Sequence, residues 1–397
     1  MSKKYNFDQI VDRHHTNSSK WSLEAYKEKF NEPNIKYPCW VADMDFLCPP
    51  MVIDAVEKRA NHGIYGYSSS NEPEIAYMGW AKRRFNWELK EEWILHTPGV
   101  VTAIRLAVQT FTHPGDQVLI QRPVYYPFSD AVEDNGRKLV SNSLVFKNGH
   151  YEINIADFEA KCADPNTKMF ILCSPHNPIG RLWTKNELLK MLEICDKYHV
   201  FVVADEIHSD LVMPGHTHYV AANLDPKYAQ NIMTCTAPSK TFNLAGLQFS
   251  NVIIENDAKR YDLDRAINNV GIGNPNPFAI VATTTAYNEG DEWLKEVLDY
   301  IEGNLNWVKD YLSKNLPQVK VYNHEATYLL WLDFRELKLT DQELEDVIFH
   351  EALVAMDAGT WFGPEGSGFM RFNLACPRST VTGAFESIRE ALAKHNF

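Results

Sequence analysis

Four residues of this chain stand where their side chains could do chemistry together. Lys240 lies in Ala237-Pro238-Ser239-Lys240-Thr241-Phe242-Asn243-Leu244-Ala245-Gly246, just after an apolar run, Ile232-Met233-Thr234-Cys235-Thr236, that reads as a buried strand. A primary amine beside small, hydroxyl-bearing neighbours suits a lysine that forms a Schiff base with an aldehyde. A plain surface lysine is the other reading. Asp205 ends a second apolar run in Val202-Val203-Ala204-Asp205-Glu206-Ile207-His208. A carboxylate there costs free energy unless it meets a cation, and a protonated pyridine nitrogen would be one. Capping the next helix is the alternative. A metal cluster of Asp205, Glu206, His208 and Asp210 is disfavoured, because consecutive strand residues face opposite sides. Nothing else in the chain has metal-ligand spacing, so no metal is expected.

Asn177 sits in Cys173-Ser174-Pro175-His176-Asn177-Pro178-Ile179-Gly180, a strand end followed by a turn held between two prolines and a glycine. Its amide could donate to a phenolic oxygen, although an Asn-Pro turn also occurs without any ligand. Arg371 lies mid-run in Phe369-Met370-Arg371-Phe372-Asn373-Leu374-Ala375. A guanidinium among apolar neighbours needs a partner, either a bound carboxylate or one of the chain's own 52 acidic residues.

The elements that must position these residues alternate. Strand-like runs at 116–121, 168–173, 200–205, 231–236 and 249–255 are separated by amphipathic helices, among them one capped by Thr184 and running to about His199. This is the pattern of an α/β fold: a large, mostly parallel sheet flanked by helices, with ligands at the strand C-terminal ends. Near residue 288 the pattern changes. A long helical stretch from Asp291 to Leu316, with an interruption expected near Gly303, leads to strand-like runs at 319–322, 328–334 and 369–374 and a helix near 341–352. The expected organisation is an N-terminal arm over 1–50, a large domain over 51–287 and a smaller α+β domain over 288–397. The arm reads as irregular, with prolines at 33, 38, 49 and 50, and is expected to pack on the smaller domain and reach across the cleft.

With 397 residues, 45% of them apolar, the chain can build a substantial core. Its formal charge of −13 argues against nucleic acid or an anionic membrane surface as a partner. Seven cysteines, odd in number and without CxxC spacing, point to a reducing compartment. No apolar signal region opens the sequence and no stretch is long enough to span a bilayer, so the expected location is the cytoplasm.

Asn-Pro-x-Gly, Asp-Glu-x-His, Ser-Lys-Thr-Phe-Asn-x-Ala-Gly and Arg-Phe-Asn occur in that order, with Asp205 28 residues after Asn177, Lys240 35 after Asp205 and Arg371 131 after Lys240. The set resembles the fold-type I, pyridoxal-phosphate-dependent class I/II aminotransferase superfamily over nearly the whole chain. Trp40-Val41-Ala42-Asp43-Met44-Asp45-Phe46, Thr327-Tyr328-Leu329-Leu330-Trp331-Leu332-Asp333-Phe334 and Trp361-Phe362-Gly363 are similar to one subgroup, the cystathionine β-lyase-like C–S lyases.

The resemblance implies pyridoxal 5'-phosphate as cofactor and a role for each matched residue. Lys240 holds the cofactor's aldehyde and later moves the α-proton. Asp205 pairs with the ring nitrogen, Asn177 with the phenolic oxygen, and Tyr125 stacks on the ring. Gly99, Val100, Val101 and Ser239 hold the phosphate, and Tyr67 reaches the phosphate of a partner subunit in a homodimer with shared sites. Arg371 grips the substrate's α-carboxylate, and Ala42 borders the substrate. His208 stands by the phenolic oxygen where many aminotransferases carry tyrosine. Gln248 stands where many carry an arginine for the phosphate. The implied reaction is β-elimination from cystathionine or another S-substituted cysteine, giving a thiol, pyruvate and ammonia. Amino-group transfer to a keto acid is the alternative, and a non-catalytic binding protein is disfavoured because Lys240 and Asp205 are both present.

Overall fold

The computed structural model describes residues 4–397, so the first three residues of the expected arm lie outside the described residues. Seven strands form the main sheet: β1 (Ile94–Thr97), β2 (Gln117–Ile120), β3 (Lys138–Ser141), β4 (Thr167–Cys173), β5 (Phe201–Asp205), β6 (Ile232–Thr236) and β7 (Ser250–Ile253). Their order across the sheet is β1-β7-β6-β5-β4-β2-β3. Only β7 runs against its neighbours, and every other pairing is parallel. The sheet is therefore mostly parallel and flanked by helices, as expected.

The central strands are largely apolar because both faces are covered. Alternate residues serve different cores. Met169, Ile171, Val203, Met233 and Val252 pack with helices 100–111 and 257–269. Phe170, Leu172, Val202, Ala204 and Ile232 face the larger cluster on the other side. The helix Lys185–Lys197 begins at Thr184 with a full capping box to Glu187.

C-terminal to the helix Asp291–Asn315 lies a second sheet of β8 (Lys320–Val321), β9 (Leu329–Asp333), β10 (Asp357–Ala358) and β11 (Phe369–Asn373), ordered β8-β9-β11-β10. The long helix is continuous through Gly303, contrary to the expected interruption. A Cβ on Gly303 would come within 3.2 Å of Arg378 Nη2, so the glycine provides for close packing instead of a break. The helix expected near 341–352 is α-helical only over Asp341–Glu345 and winds as a π-helix over Asp346–Glu351.

The first fifty residues are less irregular than their prolines imply. Leu23–Phe30 is a helix capped by Ser22, and all four prolines lie outside it; Pro50 opens the next helix. Tyr37–Pro38 pairs in parallel with Val354–Ala355. A buried charge network then anchors the segment. Lys20, 1% exposed, bonds Asp45 Oδ2 at 2.7 Å, while Arg13 and the Trp21 indole meet Asp45 Oδ1 at 2.7 and 3.0 Å. Arg13 also bonds Asp43 at 2.7 Å.

All seven cysteines are free thiols. Among the described residues no helix is long and apolar enough to cross a membrane, and no group of three or more His, Cys, Asp or Glu could hold a metal. Removing Asp45 takes away the 2.7 Å partner of Lys20 and leaves only Asp43, 3.6 Å away, to meet its buried charge. The Asp45→Ala protein is expected to lose about 3–5 kcal/mol of stability, read as an earlier midpoint in urea unfolding.

Candidate active site

The chemistry-bearing residues converge because the parallel strands end on one edge of the main sheet, where side chains emerge from loops instead of packing into either core. Asn177 follows β4, Asp205 ends β5 and Lys240 follows β6, three adjacent strands. The register sets Asp205 beside Cys173 on one side and Cys235 on the other. Gly99 follows β1 and Tyr125 follows β2 on the same edge. Together they border a cavity of about 310 Å³ lined by Ala42, Gly99, Val100, Val101, Tyr125, Asn177, Asp205, His208, Ser239, Lys240 and Gln248.

Lys240 occupies a single helical turn, Pro238–Thr241. Thr241 fastens that turn by donating to buried Asp210 at 2.8 Å, and Asp210 also accepts from the Trp80 indole at 3.0 Å. The Lys240 ammonium donates to the Ala42 carbonyl at 2.7 Å. Burial lowers its pKa from 10.5 to about 8, against an opposing pull from Asp43. Asp205 is 5% exposed and accepts one backbone hydrogen bond, from Ile207 at 3.1 Å. Among the described residues no cation lies within ion-pair distance of it, and burial raises its pKa to about 7. It is a buried carboxylate whose charge no described residue pairs.

Opposite it, the helix Val100–Phe111 points its N-terminus into the cavity. Gly99 precedes that helix at φ 105°, a conformation open to glycine, and the free N–H groups of the first turn offer an anion site. Gln248 lines the same corner and donates to the Ala245 carbonyl at 3.1 Å, adding no charge.

Tyr125 lines the cavity, and its backbone N–H donates to the Asn177 carbonyl at 3.1 Å. His208 is 3% exposed with Nδ1 unpartnered, and burial holds its pKa well below the ordinary value, leaving the ring neutral. Two expected residues stand apart. Arg371 does not line the cavity. It lies behind Asn177, to whose Oδ1 it donates at 3.1 Å, and is paired with Asp357, so an acid within the chain already meets its charge. Tyr67 is fully exposed and also lies away from the cavity of its own chain.

Other contributors carried no sequence signal of this role. Asn243 accepts from the Met44 N–H at 3.0 Å and donates to the carbonyls of Met44 and Phe46 at 3.0 and 2.9 Å. Asn373 donates to the carbonyls of Val41 and Asp43 at 2.8 and 2.7 Å. Two asparagines, one from the loop between β6 and β7 and one ending β11, thus clamp the segment that carries Ala42. The Tyr328 hydroxyl also donates to Ala42, at 3.0 Å.

Residues 41–388 match the family described as aminotransferase class I and II. The chain is 44% identical to the cystathionine beta-lyase PatB of Bacillus subtilis (strain 168), covering 98% of this chain and 100% of that protein. Its structure is similar to a PLP-bound putative aminotransferase from Clostridium difficile 630, with TM-score 0.95, 42% identity and coverage of 98% and 100%. It is also similar to cystalysin from Treponema denticola, which contains pyridoxal 5'-phosphate, with TM-score 0.94, 36% identity and coverage of 98% and 99%.

Because burial depresses the Lys240 pKa, its amine is substantially neutral at pH 8, where exposed lysines remain protonated. Treatment with an aromatic aldehyde and borohydride is expected to label Lys240 before other lysines, with labelling rising as pH passes about 8. Peptide mass mapping across pH 6–10 checks this.

Proposed function

We propose, for a chain that belongs to the aminotransferase class I and II family, that it is a pyridoxal-phosphate-dependent C–S β-lyase. Its substrates would be cystathionine or related S-substituted cysteines. The observation that carries this reading is 44% identity, over 98% of this chain and 100% of the relative, to a cystathionine beta-lyase. With water, each substrate molecule gives one thiol, one pyruvate and one ammonia.

The residues present fit pyridoxal phosphate on three separate counts. Asp205 is a buried carboxylate with no ion-pair partner among the described residues, suited to a protonated ring nitrogen. The N-terminus of helix Val100–Phe111, with the Ser239 hydroxyl, suits a phosphate. Lys240 is an amine suited to an aldehyde. Asn177 can donate its amide N–H to the phenolic oxygen, since its Oδ1 already accepts from Arg371. Tyr125 borders the space for the ring, and His208 offers a neutral imidazole beside it. When bound, pyridoxal phosphate supplies an electron-withdrawing ring that accepts the electron pair left at Cα.

The chain's own groups then do the rest. Arg371 takes the α-carboxylate and Ala42 borders the substrate. The Lys240 amine, with a pKa near operating pH and held by the Ala42 carbonyl, removes the Cα proton. Asp205 stays ionised to stabilise positive charge facing it. The thiolate then leaves Cβ with the C–S bonding pair.

A second copy of the chain completes this reading. Tyr67 projects from the loop after helix Pro50–Asn61, beside exposed Ile64 and Tyr65. That loop is tied to the 271–277 loop by Asn274, which donates to the Ser68 carbonyl at 2.9 Å. In a homodimer Tyr67 would reach the partner's phosphate site.

Cystathionine supplied without a keto acid is expected to give continuous pyruvate and thiol release. A single stoichiometric turnover would instead favour the aminotransferase reading. Lys240→Ala should bind the cofactor yet lose roughly 10²–10⁴-fold in turnover; undiminished activity would exclude the role given to Lys240. For the dimer, light scattering should give twice the chain mass. Mixing inactive Lys240→Ala and Tyr67→Ala proteins should restore part of the activity, because mixed dimers regain one intact site.

A further inference from the structure

Arg371 is the residue to which the proposed function gives the substrate's carboxylate, yet in this structure its charge is already met. β10 and β11 pair so that Asp357 stands directly opposite Arg371. The carboxylate and guanidinium form an ion pair in which the two residues are 2% and 3% exposed. The remaining contacts hold the guanidinium in one orientation. Nη2 also donates to the Trp40 carbonyl at 3.0 Å, Nη1 donates to Asn177 Oδ1 at 3.1 Å, and the group lies 4.9 Å from the Phe362 ring centroid. Nε is buried without a partner. Asp357 is the only charged group bonded to Arg371 among the described residues, and Arg371 does not line the cavity.

We propose that Asp357 is a place-holding carboxylate: it occupies Arg371 while no amino acid is bound, and the incoming α-carboxylate displaces it. The inference rests on the reading of Arg371 as the carboxylate-binding residue. A bidentate carboxylate requires two parallel N–H groups, and Asp357 takes one that an incoming anion would need. Two carboxylates on one buried guanidinium repel each other, so the displaced Asp357 must lose its charge or move.

The groups facing Asp357 favour loss of charge. They are Arg371 on β11, Lys29 on the exposed side of helix Leu23–Phe30, and the phenols of Tyr125 and Tyr126. Burial raises the pKa of both phenols, so neither is an anion at neutral pH. Burial likewise raises Asp357 to about 6, even with Arg371 pulling the other way. When the substrate carboxylate takes Arg371, that pull is lost and the Asp357 pKa climbs further. Binding therefore takes up a proton in the window above about 6, and affinity falls as pH rises through it. Below that window Asp357 is already neutral and adds no pH dependence.

The test compares L-alanine with L-alaninamide on the holoenzyme, reading the absorbance of the bound cofactor. Neither compound carries a leaving group at Cβ, and only L-alanine carries a carboxylate. The outcome is therefore independent of whether the protein cleaves C–S bonds. Asp357→Asn is expected to bind L-alanine about tenfold more tightly at pH 8, and its affinity should fall less steeply between pH 6 and 8, where one group contributes at most about tenfold per unit. L-alaninamide should bind the variant and the unaltered protein alike. Unchanged or weaker L-alanine binding with an unchanged slope overturns the proposal, as does an equal effect on the amide. Asp357→Ser serves if the first variant does not fold. Failure of both to fold even with L-alanine present also overturns it, because a place-holder is replaceable by the carboxylate whose place it keeps.

Discussion

A carboxylate buried at the end of an apolar strand, with no cation among the described residues within ion-pair distance, is the constraint around which the site is arranged. Asp205 can stand there because β5 is flanked on both sides by parallel strands whose ends present Cys173 and Cys235, small groups that offer no charge. The price of holding it is a pKa near 7. Lys240, the cation whose charge acts on Asp205, is turned instead to the Ala42 carbonyl, and its own pKa is lowered toward neutrality. Two groups with displaced protonation equilibria thus face one cavity without neutralising each other. That arrangement costs stability, and it gains its justification when a cationic ring nitrogen meets one group and an aldehyde meets the other.

The second requirement is that a backbone carbonyl be held as rigidly as a side chain. Ala42 belongs to neither sheet, and its position depends on one loop beside the main sheet and one strand of the second sheet. Asn243 comes from the loop that carries Lys240, and Asn373 ends the strand that carries Arg371. Below them, the Lys20, Arg13, Asp43 and Asp45 network ties the same segment to the first twenty residues. The amine-bearing loop and the guanidinium-bearing strand are therefore registered against each other through a segment that itself does little chemistry.

Much of this was legible in the sequence, for physical reasons. Strands buried on both faces read as unbroken apolar runs, so β4, β5 and β6 and the residues ending them stood out. Thr184 announced its helix because Glu187 completes the box. What stayed hidden was of three kinds. The carbonyl of Ala42 is an acceptor that no side chain advertises. Gly303 and the prolines of the first fifty residues signal breaks only on average; a contact with Arg378 and a helix placed ahead of all four prolines override that signal. Asp357 belongs to a two-residue strand, too short to show an alternation, and its meaning depends on a pairing with a residue fourteen positions later. Sequence reasoning left Arg371 with either an internal acid or a bound carboxylate, and the structure supplies the internal acid.

The phosphate corner shows how such a site manages charge. Gln248 stands on the corner where an arginine would bring a full positive charge, and its amide is spent on the Ala245 carbonyl. On the proposed function, phosphate binding there would be left to the N–H groups of helix Val100–Phe111 and the Ser239 hydroxyl, which carry only partial charge. An arginine would have stood close to Lys240 and would have lowered its pKa further, since Arg371 already acts in that direction from behind Asn177. With the corner uncharged, the Lys240 pKa is governed by burial and by Asp43, and it settles near 8, where the amine can both accept and return a proton at neutral pH. On the proposed function, a weaker electrostatic hold on the phosphate and a better-poised base would be two consequences of the same glutamine.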